Sequence, residues 1–140
     1  MCLIDTGLAG HLLGLDEERL AVEPGLRGAF LETFVATELT KQASWSRRRP
    51  RLFHFRQTAG QEVDLVLEEL SGAVVGVEVK ASATVTAEDF KGLRAFAEIA
   101  GPRFRRGIVL YTGKTPASFG ANLLALPVSS IWAPCPKAAG

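Results

Sequence analysis

The chain has 140 residues, of which 47% are hydrophobic and 22% charged, and its formal net charge is +1. This composition suits one globular domain with a core, and the near-neutral charge means that any contact with nucleic acid must come from a local patch. The lone cysteines Cys2 and Cys135 form neither a zinc site nor a disulfide framework, which favours a reducing compartment.

The N-terminal segment is predicted to lead into the domain. Its first residues, MCLIDTGLAGHLLGL, have no Lys or Arg ahead of the apolar residues, which argues against a signal peptide. No apolar run reaches the roughly 18 residues that a membrane-spanning helix needs, so we expect a cytoplasmic protein without membrane contact. Residues 3–14 predict a short apolar helix, and the charged stretch 15–25 a loop ended by Pro-Gly.

Helical and strand patterns alternate along the rest of the chain. Residues 26–42 have an apolar face at helical spacing, and three strand patterns follow at 52–56, 62–70 and 73–81. Thr86 is a natural N-cap for a second helix that ends at Gly101. Further strands are predicted at 107–113 and within 123–132. This order predicts an α/β sandwich around a mixed sheet over residues 26–133, preceded by a lead-in segment over 1–25 and followed by a tail over 134–140.

Charged residues interrupt two of the predicted strands. By alternation, Val63 and Leu65 share one face of the second strand and Asp64 lies on the other, while Glu78 and Lys80 lie opposite the valines of the third strand. A hairpin loop of odd length matches the aliphatic faces. A loop over 71–73 would place Asp64 opposite Lys80 and Val66 opposite Glu78, within roughly 5–8 Å of each other.

This arrangement favours a divalent metal. Two carboxylates so close repel each other, and Asp64 and Glu78 would relieve the repulsion by sharing a cation. Carboxylate ligands suit Mg²⁺ or Mn²⁺ rather than zinc. Lys80 would orient or deprotonate a water or stabilise charge on a phosphate, which is suited to phosphodiester hydrolysis. The alternative is a plain cross-strand salt bridge between Asp64 and Lys80, with Glu78 solvated.

The D…ExK hairpin, preceded by a helix carrying Glu, resembles the PD-(D/E)XK nuclease superfamily, which has a restriction-endonuclease-like fold. Nearly the whole chain also resembles the uncharacterised, nuclease-like C-terminal domain of prokaryotic AAA-type ATPases. The matching segments are DTGLAGHLLG, GAFLETFVATEL, FHFRQTAGQEVDLVLE, GVEVKAS, FKGLRAFAE, GIVLYTG and ALPVSSIW. The resemblance implies a three-layer sandwich that cleaves DNA with Mg²⁺ or Mn²⁺, an upstream or separate ATPase domain as partner, and homodimerisation as an option.

The resemblance also assigns roles to matching positions. Asp64 and Glu78 look like the metal carboxylates, Lys80 like the catalytic lysine, and Glu32, in the pattern G-x-x-x-E-x-x-V, like the helix glutamate. Glu38 is an alternative ligand, because an acid in the middle of an apolar helix face needs a partner or a metal. Arg56 and Glu62 belong to the family motif without a clear role. Because the chain has no Walker A sequence, we expect a fragment, a shortened form or a free-standing relative.

Two arginine clusters complete the candidate residues. Arg47, Arg48, Arg49 and Arg51 form the first, and Arg103, Arg105 and Arg106 the second. Both are expected to grip phosphates beside the site together with Arg56, unless they are simply solvated loops. His11 and His54 are expected to be structural or exposed rather than catalytic. A second functional hypothesis is a non-catalytic regulatory module that binds nucleic acid or protein for an ATPase.

Overall fold

The computed structural model describes residues 24–132. The predicted helix over 3–14, nearly all of the predicted loop, the C-terminal tail, and Cys2, His11 and Cys135 lie outside this range. Within it, no helix is long and apolar enough to cross a membrane.

The described chain forms two α-helices and six β-strands. The helices are α1 (Pro24–Trp45) and α2 (Lys91–Ala100), and short 3-10 turns cover Ala87–Phe90, Gly101–Arg103 and Val128–Trp132. The strands are β1 (Arg51–Arg56), β2 (Glu62–Glu68), β3 (Val74–Lys80), β4 (Phe104–Tyr111), β5 (Ala117–Gly120) and β6 (Leu123–Pro127). The sequence predicted all of these except β5, whose residues ASFG carry no alternating apolar pattern.

The strands form one mixed sheet in the order β1-β2-β3-β4-β6-β5. β4 is parallel to β3 and to β6, and the other neighbours are antiparallel. On one face Phe34 and Val35 of α1 pack with Leu65, Val77 and Leu110. On the other face Phe90, Leu93 and Phe96 pack with strand residues that include Val63 and Val66. The predicted three-layer α/β sandwich is therefore confirmed.

One expectation about the second strand is wrong. Val63 lies in the cluster on the α2 face while Leu65 lies on the α1 face, although alternation placed both on one face. Phe53 pairs with Val66 and Phe55 with Val63, so β2 has one more residue than β1 between these pairs. Such a β-bulge turns neighbouring side chains out of strict alternation, and Asp64 lies at this irregularity.

The hairpin register also differs from the prediction. Leu65 pairs with Val77 and Val66 with Gly76, so Val66 does not lie opposite Glu78. The loop has the predicted odd length but consists of Leu70, Ser71 and Gly72, closed by the Glu69 N–H bond to the Ala73 carbonyl at 2.9 Å. Gly72 has a φ of 90°, which residues with a Cβ rarely adopt. This glycine ends the loop one residue earlier and brings Glu78, rather than Lys80, to Asp64.

Candidate active site

The Asp64 carboxyl lies where the β2–β3 ladder ends. The last backbone pair at this end is Leu65 with Val77, and the next β3 N–H, that of Val79, donates to Asp64 Oδ2 at 2.8 Å. The Asp64 side chain therefore takes the place of a strand carbonyl in the gap between the two strands. In this position its oxygens are held in register by the sheet itself.

Glu78 meets Asp64 in this gap. The hairpin register, in which Leu65 pairs with Val77, sets residues 64 and 78 opposite each other, and the Glu78 carboxyl lies within electrostatic range of the Asp64 carboxyl. Burial first, and then the charge and side-chain bond of Asp64, raise the pKa of Glu78 to about 8. At neutral pH Glu78 therefore holds a proton, because desolvation and the nearby Asp64 charge disfavour its carboxylate form.

This donor pair fits a hard divalent cation. Carboxylate oxygens are the ligands that Mg²⁺ and Mn²⁺ prefer, and a bound cation would replace the proton on Glu78 in offsetting the repulsion between the two carboxylates. Within residues 24–132, however, no three His, Cys, Asp or Glu side chains converge closely enough to form a complete protein cage. Mg²⁺ commonly keeps several waters and takes only one or two carboxylates, so a pair of carboxylates would be enough to hold it.

Glu32 and His54 approach Asp64 from the α1 side of the sheet. All three line two adjoining cavities of ≈ 430 Å³ and ≈ 350 Å³. Partial desolvation raises the pKa of Glu32, the Asp64 carboxyl raises it further, and His54 opposes the shift. The exposed His54 contacts the Asp64 carbonyl through Nδ1. The structure thus brings Glu32 into electrostatic range of Asp64, and the β1–β2 pairing brings His54 there.

Lys80 lies on the opposite, α2 side and does not pair with Asp64. Its Nζ lies 3.0 Å from Asp89 Oδ1, and Lys80, Glu78 and Glu62 line a cavity of ≈ 380 Å³. The plain Asp64–Lys80 salt bridge is therefore not formed, since Asp64 Oδ2 accepts the Val79 N–H and Lys80 pairs with Asp89. Lys80 still shares a cavity with one of the two carboxyls.

Asp89 is a residue that the sequence analysis did not assign to the site. Its Oδ2 accepts the Thr86 N–H at 2.8 Å, which is half of a capping box. Desolvation pushes the pKa of Asp89 upward, but the Thr86 N–H and Lys80 outweigh it, so this pKa falls below its usual value. The only signal in the sequence was the spacing from Thr86 to Asp89, which indicated a helix start and not a partner for Lys80.

Glu38 is separated from the carboxyl pair. Its side chain is 1% exposed and lies 3.6 Å from Lys41 Nζ, and it lines none of the cavities that Asp64 lines. Along α1 it is about 9 Å from Glu32, at 1.5 Å per residue. The structure thus gives this mid-face acid a lysine partner and leaves Glu32 as the helix carboxyl nearer to Asp64.

The arginines divide between the two ends of the sheet. Arg56 lies at the end of the sheet that holds Asp64 and Glu78, where its Nε is 3.1 Å from Glu62 Oε2. The two clusters lie at the other end, because Phe104 pairs with Val74 at the start of β3 and Arg48 bonds Glu69 at 2.8 Å beside the β2–β3 loop. The expectation that both clusters flank the carboxyls is wrong, because β3 and β4 run in parallel and carry residues 103–106 to the far end.

Comparisons with known proteins identify a family and a related fold. No curated protein matches the chain. A chain in a tetradecameric assembly of Thermococcus gammatolerans McrB AAA+ hexamers with bound McrC is similar in structure, with a TM-score of 0.51 and 10% sequence identity. The match covers 71% of the present chain and 27% of that chain, and at this identity it shows the fold alone. A family model described as "Domain of unknown function (DUF4143)" matches residues 27–131, and the chain belongs to this family.

Proposed function

We propose that this chain is a divalent-cation-dependent phosphodiesterase domain that hydrolyses DNA, with Asp64 and Glu78 as the carboxylates that hold Mg²⁺ or Mn²⁺. The observation that carries the proposal is that Asp64 and Glu78 face each other just beyond the last β2–β3 pair, Leu65 with Val77, where Asp64 Oδ2 accepts the Val79 N–H at 2.8 Å. A structural acid pair is costly unless something offsets its repulsion. A cation bound between the two carboxylates would offset that repulsion.

Each neighbouring residue has a defined part in the proposal. Asp64 and Glu78 hold the ion, and Glu32 adds a carboxylate directly or through a water. The bound cation would supply Lewis acidity toward a phosphate oxygen and toward water. Lys80, held by Asp89 at 3.0 Å, stabilises negative charge on the phosphate or takes a proton from the attacking water. Asp89 is then a positioning residue, because it touches Lys80 and not the reacting atoms.

We further propose that the domain works with an AAA-type ATPase, either upstream in the same protein or as a separate partner. The fold resembles part of a chain from an assembly of McrB AAA+ hexamers with bound McrC. The family resemblance of the sequence points to the same partner class. ATP hydrolysis by that partner would then control when DNA reaches the carboxyl pair.

The second candidate function is a regulatory module without catalysis. It is favoured by the fact that residues 24–132 hold no convergent group of three His, Cys, Asp or Glu side chains. In that case Asp64 and Glu78 would bind no metal, and the domain would act through binding alone.

A cleavage assay separates the two candidates. The purified protein is incubated with supercoiled plasmid and with a branched DNA in Mg²⁺, in Mn²⁺ and in EDTA. We expect metal-dependent nicking that is lost in Asp64→Ala and Lys80→Ala and kept in Lys114→Ala, a substitution of an exposed lysine after β4. Absence of nicking by the protein alone and with an ATPase of the same genome, under all metal conditions, would favour the regulatory module.

A further inference from the structure

The end of the sheet farthest from the carboxyl pair carries a concentration of arginines. Along β3, Glu78 and Val74 are about 13 Å apart at roughly 3.3 Å per residue. The arginine end comprises Arg47, Arg48, Arg49, Arg51, Arg103, Arg105 and Arg106, all of them exposed. It is formed by the loop after α1, the start of β1, the β2–β3 loop and the start of β4.

The charge of this end is only partly compensated. Arg48 pairs with Glu69 at 2.8 Å, and Arg103 pairs with Glu68. Among the described residues, Arg47, Arg49, Arg51 and Arg106 have no ion-pair partner. Seven arginines and two glutamates therefore leave this surface strongly positive, which attracts acidic partners.

A cleft with an apolar floor lies among the arginines. It has a volume of ≈ 510 Å³, with Pro50, Leu67, Ala73 and Val75 in its lining and Arg48 and Arg105 at its sides. Glu69 also lines it, but the Arg48 hydrogen bond lowers its pKa and compensates its charge. We call this the arginine-rimmed cleft.

Two large apolar side chains beside the cleft are exposed to solvent. Trp45 is 76% and Leu70 88% exposed. Trp45 precedes Ser46, and Leu70 lies between Glu69 and Ser71, and all three of these neighbours line the cleft. Tryptophan and arginine are the residues most enriched at the energetic centres of protein interfaces.

We propose that the arginine-rimmed cleft docks a protein segment in which acidic side chains alternate with large apolar ones. The acids pair with the uncompensated arginines, and the apolar side chains cover the cleft floor, Trp45 and Leu70. A nucleic-acid backbone could pair with the arginines through its phosphates. Its phosphates and sugars present no large apolar group that would cover Leu70 or the proline, leucine and valine of the cleft floor. The proposal does not depend on the carboxyl pair being catalytic.

Fluorescence anisotropy tests the proposal directly. The probe is a short labelled peptide of glutamates interspersed with leucines and one phenylalanine, and the buffer contains EDTA so that no metal site contributes. Matched peptides replace the glutamates by glutamines or the leucines by serines. The protein variants are Arg105→Gln with Arg106→Gln, and Trp45→Ala, with Lys114→Gln as the charge control at the opposite end of the sheet. Thermal unfolding confirms that each variant is folded.

We expect the acidic apolar peptide to bind and both control peptides to bind at least about fivefold more weakly, since charge and apolar contact act together. The Arg105/Arg106 double variant and Trp45→Ala should each weaken binding by about fivefold or more, and Lys114→Gln should not. Failure of the peptide to bind, or equal binding by all variants, overturns the proposal. Binding of a labelled DNA duplex that competes with the peptide and is lost in the double variant but not in Trp45→Ala would instead make this a nucleic-acid surface.

Discussion

Glu78 shows how one side chain links local structure to a measurable property. Its carboxyl is half-buried beside Asp64, and this desolvation raises its pKa to about 8, above the ordinary value of 4.5 that it regains on unfolding. A folded-state pKa raised in this way stabilises the fold fully below the unfolded pKa, and the contribution is lost as pH rises through the folded pKa. The contribution of Glu78 to the unfolding free energy is therefore lost between about pH 4.5 and about pH 8.

The first prediction follows from this window. In EDTA, the unfolding free energy of the wild type should fall relative to that of Glu78→Gln as the pH rises from about 4.5 to 8, because the unfolded chain releases the Glu78 proton first. Chemical denaturation at several pH values measures the difference. Parallel pH profiles for the two proteins would show that Glu78 titrates normally.

Asp89 has two contacts that one substitution series can separate. Asp89→Ala removes both the acceptor for the Thr86 N–H and the partner of Lys80, and should cost about 1 kcal/mol of unfolding free energy as the loss of a cap. Asp89→Asn keeps a side-chain acceptor for Thr86 and should cost less. Denaturation curves give both values. Equal losses for the two variants would mean that the charge on Lys80, and not the cap, holds this turn.

At the scale of elements, Gly92 determines how closely α2 approaches the sheet beside the site. A Cβ at Gly92 would lie 2.4 Å from the Glu62 carbonyl oxygen and 3.5 Å from Glu78 Oε1. No residue with a side chain fits this contact unless the helix moves. The first turn of α2 is therefore packed directly on the backbone that precedes Asp64.

Gly92→Ala is predicted to destabilise the protein by roughly 1–3 kcal/mol, the usual cost of overpacking, although alanine favours a helix more than glycine does. Gly28→Ala in α1 is the matched control, since a Cβ there meets nothing within 4 Å. It should stabilise the protein by up to about 1 kcal/mol. Thermal and urea unfolding of both variants give the signs. Stabilisation by both would mean that α2 is free to shift away from β2.

Periodicity in the sequence predicted the helices and most strands, because their apolar faces are selected by burial on the sheet. It could not predict β5, which depends on pairing with β6, nor the bulge in β2, which depends on β1. The same limit applies to the candidate site, where local pattern was informative and long-range contacts were not predictable. The sequence placed Asp64 and Glu78 on neighbouring strands, but their facing positions required the register set by Gly72. The Asp89 partner of Lys80 required the packing of the turn before α2.

At the scale of the whole molecule, the sheet separates two kinds of surface. The carboxyl pair, Lys80 and Asp89 lie at the end of β3, and the arginine end lies at its start. The basic clusters were expected to grip phosphates beside the site. Only long-range contacts show that they lie at the far end of the sheet: the parallel pairing of β3 and β4 for the second cluster, and the Arg48–Glu69 pair for the first.

Thermal unfolding with increasing Mn²⁺ tests most directly whether Asp64 and Glu78 form a divalent-cation site. A ligand at a hundred times its Kd stabilises the folded state by about 2.7 kcal/mol, or several degrees of Tm for a domain of this size. We predict such a rise for the wild type and none for Asp64→Asn or Glu78→Gln. A flat wild-type response, or an equal rise in the two variants, would contradict a cation site at these two residues.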